Sequence, residues 1–298
     1  MAEIILLDGG LGQELIRRAG DTPTPLWSTQ VMIDHPGIVE EVHKAYFDAG
    51  ATVATTNTYS LHRDRLEPAG LGQRFNDLCQ RALNEARSAR SSVATGRVAG
   101  SIGPLRASYR PDLHPAHTEA VQSYAELARV LGPGVDLILC ETVASLAHAE
   151  AVLEGAKHAG KPVWIAFTLD DTDGRRLRSG EPVTDCVAVA RRGGAQAILA
   201  NCSVPEVMHS ALEAFSIGGL PFGAYANGFT HIDAAFLGDA PTVDVLTSRQ
   251  DLSPPAYADF VLKWVEAGAT IVGGCCEVGP DHIREVARVL LSRGHTLV

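Results

Sequence analysis

Short apolar runs recur along the whole chain, at about residues 4–8, 52–56, 97–101, 136–141, 162–167, 195–201, 221–226 and 269–274. Most are nearly continuous rather than alternating, as in Leu137-Ile138-Leu139 and Val163-Trp164-Ile165-Ala166-Phe167, a pattern that predicts strands buried on both faces. Between the runs, apolar residues return at helical spacing. Ile38, Val42, Tyr46 and Ala49 follow Asp34 and Pro36, while Ile283, Val286, Ala287 and Leu290 follow Pro280. Gly50 and Gly294 stand where a helix would stop. Eight strand-then-helix units predict an α/β chain, either a closed (β/α)8 TIM barrel or an open doubly wound sheet, and the count of eight favours the barrel. Residues 10–33, 102–114, 168–181 and 227–253 read as irregular, and each stretch follows a strand. Long connections collected at the C-terminal strand ends would form a binding rim, with 227–253 as a candidate lid.

Composition narrows this picture. The chain has 298 residues, 46% of them hydrophobic and 20% charged, which excludes a disordered segment or a small disulfide scaffold. At roughly 150 residues per domain the length would allow two domains, but an α/β barrel uses about 250 as one unit. No Pro-, Gly- or Ser-rich linker interrupts the chain, so a single domain over residues 1–298 is expected. A formal net charge of −10 argues against nucleic acid as a partner. The opening Met1-Ala2-Glu3 and the apolar residues after it lack the basic region and long apolar core of a secretory signal. No apolar run approaches the roughly 18 residues that span a bilayer. The expectation is a soluble cytoplasmic protein that meets no membrane; its oligomeric state is open. In a reducing compartment six cysteines would be free thiols.

Three of those thiols fall at predicted strand ends: Cys202 in Ala200-Asn201-Cys202-Ser203, and the pair in Gly273-Gly274-Cys275-Cys276. A barrel would carry all three to one rim. Three thiolates can hold Zn²⁺ tetrahedrally and leave one position open, the layout of a catalytic site. Neighbours in a regular strand face opposite ways, so Cys275 and Cys276 can share a metal only if the chain bends, and Gly273 and Gly274 would permit the bend. The alternative is that they are small buried hydrophobes, which is the reading for Cys79, Cys140 and Cys186. Asp170-Asp171-Thr172-Asp173-Gly174 lacks the spacing and terminal Glu of a calcium loop and reads as a solvated turn. His114 and His117 read as residues flanking a helix, and Arg106 and Arg110 as loop residues able to meet a carboxylate.

Taken in order, Leu7-Asp8-Gly9-Gly10, Thr55-Thr56-Asn57-Thr58-Tyr59, Gly100-Ser101-Ile102-Gly103-Pro104, Glu141-Thr142, Asn201-Cys202 and Gly273-Gly274-Cys275-Cys276 resemble the homocysteine S-methyltransferases. That family consists of zinc-dependent barrels that methylate the thiol of homocysteine. The resemblance implies that Cys202, Cys275 and Cys276 bind Zn²⁺ with the homocysteine sulfur in the fourth position, where coordination would keep it as thiolate. It also implies that Asp8 and Glu141 face the substrate ammonium, with Gly9, Gly10 and Thr56 fixing its orientation. The rival readings are a loop hydrogen bond for Asp8 and a structural ion pair for Glu141. Trp27 stands where betaine-using relatives carry a tryptophan, and with Tyr59 it could hold an onium donor by cation–π attraction.

The implied activity is methyl transfer to homocysteine from a small onium donor, S-methylmethionine or S-adenosylmethionine, giving methionine. Betaine is the alternative donor. A non-catalytic zinc or thiol-redox protein built on Cys275-Cys276, or a hydrolase using zinc-bound water, are the alternatives of other classes. Two departures bear on the acceptor. The chain reads Glu277-Val278-Gly279-Pro280 where many members have Gly and Thr before the proline, which would put a charge beside the acceptor and admits a related thiol or selenol. It reads Tyr225-Ala226-Asn227 where many have a central proline.

Overall fold

The computed structural model describes residues 1–21, 24, 26–238 and 245–298. All eight expected strands form: β1 (Glu3–Leu6), β2 (Val53–Thr55), β3 (Arg97–Ile102), β4 (Leu137–Val143), β5 (Val163–Phe167), β6 (Ala197–Asn201), β7 (Phe222–Ala226) and β8 (Ile271–Gly274). A ninth, β9 (Thr296–Leu297), was not expected, since two residues are too few to show a period. Every residue of β5 and of β6 is buried, as their unbroken apolar runs require.

The strands form one parallel sheet in the order β2-β3-β4-β5-β6-β7-β8-β1-β9. Its curl brings β1 back beside β2. Leu7 and Val53 form a parallel bridge, the Asp8 amide donates to the Val53 carbonyl at 3.1 Å, and the Thr52 amide donates to the Leu6 carbonyl at 2.7 Å. Alternate residues of each strand divide between two cores. Leu7, Val53, Leu139, Trp164, Leu199 and Ile271 pack together on one face, while Ile138, Ile165, Ile198 and Val272 on the other meet the helices.

The helices are α1 (Leu11–Ala19), α2 (Ser28–Asp34), α3 (Ile38–Asp48), α4 (Arg63–Leu66), α5 (Phe75–Ser91), α6 (His117–Leu131), α7 (Leu146–Ala156), α8 (Thr184–Gly193), α9 (Met208–Ser216), α10 (Pro254–Glu266) and α11 (Pro280–Ser292). Of the stripe that predicted α3, Val42, Tyr46 and Ala49 are buried and Ile38 is half-buried, with Val39 and Phe47 buried beside them; the stripe that predicted α11, Ile283, Val286, Ala287 and Leu290, is buried throughout. Gly50 turns the chain from α3 into β2 with φ 105°, and a Cβ there would lie 2.7 Å from the Ala287 Cβ, so both conformation and space demand glycine.

Residues 10–33, expected to be irregular, contain α1 and all but the last residue of α2. The first helix hides because Glu14, one of its two buried residues, is charged; that carboxylate is met by Arg17 and Arg18 one turn on. The second is only seven residues long. The other three expected stretches, 102–114, 168–181 and 227–253, lack α-helix where described, although 102–114 begins with the last residue of β3, but residues 239–244 of the candidate lid lie outside the described residues, as do 22, 23 and 25. His117 opens α6 and pairs with Glu154, and His114 stacks on His148 with centroids 4.7 Å apart. Arg106 and Arg110 do meet carboxylates, those of the chain's own Glu119 and Asp112.

Candidate active site

The two sheet cores end at a cleft above the C-terminal ends of the strands, and the three strand-end cysteines meet there. Cys202 is the residue after β6 and sits in the left-handed region at φ 50°. Its sulfur lies 2.7 Å from that of Cys275 and 3.8 Å from that of Cys276, and all three sulfurs fall within 4.8 Å of one another. Among the described residues this is the one group of three or more His, Cys, Asp or Glu that could hold a metal ion.

The expected bend is present, but its cause differs. It comes from the turn beyond the strand, where the Val278 amide donates to the Cys275 carbonyl at 3.1 Å and Glu277 takes φ 64°. Gly273 and Gly274 serve packing instead: a Cβ would come within 2.5 Å of the Leu7 Cβ at the first and 2.2 Å of the Val278 Cγ1 at the second. Gly9 and Gly10 answer the same need from the other side. A Cβ on either would strike the carbonyl of Val278 or Cys275, so they let the end of β1 nest on the cysteine turn.

Electrostatics separate the three sulfurs. The Cys275 thiol and the Tyr109 hydroxyl donate to the Cys202 sulfur at 2.7 and 3.0 Å, Cys276 lies in reach of it at 3.8 Å, and these contacts hold the Cys202 thiol well below its ordinary pKa despite burial. The hydrogen bond to Cys202 correspondingly raises Cys275 and Cys276. Burial also keeps the Tyr109 phenol protonated, as a donor. In contrast, Cys79, Cys140 and Cys186 are buried away from the cleft, and burial pushes their thiols up. A tetrahedral Zn²⁺ with Zn–S near 2.3 Å sets sulfurs about 3.8 Å apart. Cys202 and Cys276 stand at that spacing, and Cys275 would open from Cys202 by about 1 Å. Three soft thiolate donors with an open side suit zinc.

Two carboxylates share the cleft. Asp8, 3% exposed, accepts from the Thr55 amide and hydroxyl, each at 2.7 Å, so the loop hydrogen bond expected as a rival reading is real. Burial nevertheless raises its pKa to about 7. Glu141 lies where the β4–β5 register shifts between Cys140 and Val143. It accepts from the Ser101 hydroxyl at 2.5 Å and the Tyr225 hydroxyl at 3.0 Å, and desolvation raises it too to about 7. Among the described residues no cation forms the ion pair considered for Glu141. No Lys, Arg or His lines the cleft among the described residues, so both carboxylates stand without a cation. Thr56 accepts from the Ser101 amide at 3.0 Å and bonds Thr58.

Trp27 and Tyr59 form one wall, stacked at 6.1 Å with 12° between their planes, and Phe236 leans on Trp27 at 5.8 Å. Tyr59 is pinned through its hydroxyl to Ser108. All ten residues singled out in the sequence therefore line one cleft: Cys202, Cys275, Cys276, Asp8, Gly9, Gly10, Thr56, Glu141, Trp27 and Tyr59. Glu277 does not; its Cβ lies against Gly228, so the expected charge beside the acceptor is absent from the lining. Tyr109, Tyr225, Ser101 and Phe236 line the cleft without having been anticipated in these roles. Tyr225 and Ser101 could have been found from their strand-end positions, whereas nothing in the spacing of Tyr109 or Phe236 points to the site.

The sequence matches the family model described as homocysteine S-methyltransferase over residues 5–290, nearly the whole chain. The chain belongs to the homocysteine S-methyltransferase family. It is an enzyme of that methyl-transferring class, and its family acts on small molecules. The homocysteine S-methyltransferase of Escherichia coli (strain K12) is 32% identical to it over 94% of this chain and 93% of its own length. A selenocysteine methyltransferase of Astragalus bisulcatus is 27% identical over 96% of this chain and 92% of its own length. Among solved structures, the metallated form of the homocysteine methyltransferase MmuM from Escherichia coli superposes with a TM-score of 0.81 at 28% identity, covering 96% of each chain. Among the described residues of this family member no helix is long and apolar enough to cross a membrane.

Proposed function

We propose that this chain transfers a methyl group from S-methylmethionine or S-adenosylmethionine to the sulfur of homocysteine, giving methionine, with Zn²⁺ held by Cys202, Cys275 and Cys276. The observation that carries the reading is the convergence of three sulfurs and two carboxylates without a cation in one cleft. We assign the activity to a single homocysteine-binding domain over residues 1–298 and to the reducing cytoplasm, where three neighbouring thiols stay free. The fold we propose for it is a complete (β/α)8 barrel, which the Leu7–Val53 bridge supports by joining β1 to β2.

Bound Zn²⁺ would supply the Lewis acidity that keeps the acceptor sulfur deprotonated at neutral pH. The residues do the rest. Asp8 and Glu141 receive the substrate ammonium, whose charge returns both carboxyls to the ionised form that burial opposes. The hydroxyls of Ser101 and Tyr225 hold Glu141 in place, and Thr55 holds Asp8. Gly9, Gly10 and Thr56 shape the wall against which the amino-acid end lies. The aromatic faces of Trp27 and Tyr59 attract the onium centre, each worth roughly 0.5–2 kcal/mol.

Transfer is one displacement. The acceptor sulfur forms a bond to the methyl carbon as the donor's C–S bond breaks, and the electron pair of that bond stays on the donor, which leaves as a neutral thioether. No proton moves in this step, so the cleft needs no general acid. Its negative lining favours donors of net positive charge, which S-methylmethionine and S-adenosylmethionine are and zwitterionic betaine is not.

The test is a donor screen with the zinc-loaded chain and homocysteine, read as methionine formed. Turnover with a sulfonium donor at least tenfold above that with betaine is expected. Turnover with betaine alone, or hydrolysis without a methyl acceptor, would overturn the reading.

A further inference from the structure

The segment Asp170–Gly174 is only partly the solvated turn that its composition predicts. Asp170 accepts from the amides of Thr172 and Asp173 and from the Thr172 hydroxyl, as such a turn requires. Asp171 points the other way. Its side chain is 8% exposed and lies 2.9 Å from the Arg178 guanidinium, itself 12% exposed. One Asp171 oxygen accepts from the Val204 amide at 3.2 Å and the other from the Ile232 amide at 3.0 Å. One carboxylate thereby ties together the connections that follow β5, β6 and β7.

Arg178 carries the link to the sulfurs. Its guanidinium carbon stands 5.2 Å from the centroid of the Tyr109 ring, a cation–π contact shielded from water. Its Nε donates to the Thr168 hydroxyl at 3.4 Å, and that hydroxyl donates to the Cys202 carbonyl at 3.3 Å. Tyr109, at φ 61°, is held in a conformation that non-glycine residues avoid, and its hydroxyl donates to the Cys202 sulfur at 3.0 Å. Neither Asp171 nor Arg178 lines the cleft. A buried ion pair is a poor source of stability by itself but a good device for fixing a geometry.

We infer that Asp171 and Arg178 are positioning residues that prop Tyr109 against the sulfur of Cys202. Residues one step behind a metal ligand orient it, and losing such a partner weakens metal binding by about 10–100-fold. The inference rests on the reading of Cys202, Cys275 and Cys276 as metal ligands, so it is tested on metal binding rather than on turnover.

The probe is Zn²⁺ alone, titrated into the full reduced chain against a chromophoric chelator, with the thermal midpoint of the metal-free protein recorded in parallel. Tyr109→Phe keeps the ring and removes only the donated hydrogen bond. We expect it to weaken zinc binding at least tenfold with the metal-free midpoint unchanged. Arg178→Met is expected to weaken zinc to a similar extent, and Arg178→Lys to recover part of the loss. The double variant Tyr109→Phe with Arg178→Met should bind no more weakly than the weaker single variant, because the two act in one chain of contacts. Asp173→Asn, on the exposed side of the same turn, should match the wild type. Unchanged zinc affinity in Tyr109→Phe, or losses that simply multiply in the double variant, would overturn the inference while leaving the metal reading intact. A wild-type chain that binds no zinc would overturn both.

Discussion

The two ends of the sheet solve one backbone problem in opposite ways. Where helices return to strands, the positive φ that reverses the chain is taken by glycine, as at Gly50 and Gly194. Where strands run out into the cleft, residues with side chains take it. Trp27, Arg106, Tyr109, Thr142, Cys202 and Glu277 all have φ between 50° and 64°; Arg106, Tyr109, Cys202 and Glu277 follow the end of a strand, Thr142 is the penultimate residue of one, and Trp27 caps α2 at the edge of the same cleft. A left-handed conformation costs a non-glycine residue about 1–2 kcal/mol. Glycine at those positions would relieve that cost but remove a sulfur, a ring or a hydroxyl from the cleft. Four of the six line it: Trp27, Tyr109, Thr142 and Cys202. The strain at Thr142 is contained by Asn201, whose side chain accepts from the Thr142 amide at 3.1 Å and donates to its hydroxyl at 3.2 Å. Strain concentrated at one end, and relaxed turns at the other, is the pattern of a scaffold that carries its chemistry on one rim.

Cys202→Ala removes the sulfur on which the other two converge. It should abolish both bound zinc and methyl transfer, measured by metal analysis and methionine formation. Persistence of either would break the link between rim strain and function. Asp8→Asn should raise the KM for homocysteine by about 10–100-fold at pH 8, the loss of one charge-assisted hydrogen bond of roughly 1.5–3 kcal/mol, with a smaller effect on kcat.

The same carboxylate predicts a pH dependence whose sign is fixed by its shift. The folded pKa of Asp8 is raised to about 7 from 3.8, so between those values the unfolded chain has lost a proton that the folded chain keeps. The contribution of Asp8 to stability therefore falls as pH rises from about 4 to about 7 and is constant beyond. Thermal midpoints across this window should show Asp8→Asn gaining on the wild type as pH rises; a gain that grows toward acid instead would refute the burial account. In the wild type, kcat/KM for homocysteine should decline as pH drops through about 7, since protonated Asp8 and Glu141 no longer attract the ammonium.

Smaller effects test the relaxed end against the strained one. Gly50→Ala places a Cβ at φ 105°, 2.7 Å from the Ala287 Cβ, and should destabilise by about 1–3 kcal/mol with kcat unaltered. Glu277→Gly goes the other way. Glu277 is strained but lines no cleft, so glycine should leave activity intact and stabilise by up to about 1 kcal/mol, net of the added freedom of the unfolded chain. A destabilised Glu277→Gly would show that this turn is not under strain.

Much of this site was legible in the sequence because unbroken apolar runs mark where strands end. Once β1, β4, β6 and β8 could be placed, Asp8, Cys202, Cys275 and Cys276 followed just beyond their ends, and Glu141 near the end of β4. What stayed hidden depends on how loops fold back. Tyr109 reaches Cys202 across 93 residues from a connection with no regular period, and Asp171 turns inward beside neighbours that turn out. The bend at Cys275-Cys276 was foreseen but credited to the wrong residues, since glycine composition does not tell close packing from a reversed φ. Helix α1 was missed because a buried glutamate broke its apolar stripe.

Three cysteine sulfurs holding one zinc ion, with a fourth position for the acceptor, would leave a distinct signature in X-ray absorption at the zinc edge. Freshly reduced, zinc-loaded protein should show three sulfur neighbours near 2.3 Å and one lighter atom, changing to four sulfurs when homocysteine is added. A shell that homocysteine leaves unchanged would rule out the acceptor as fourth ligand, and one with fewer than three sulfurs would rule out the three-cysteine site.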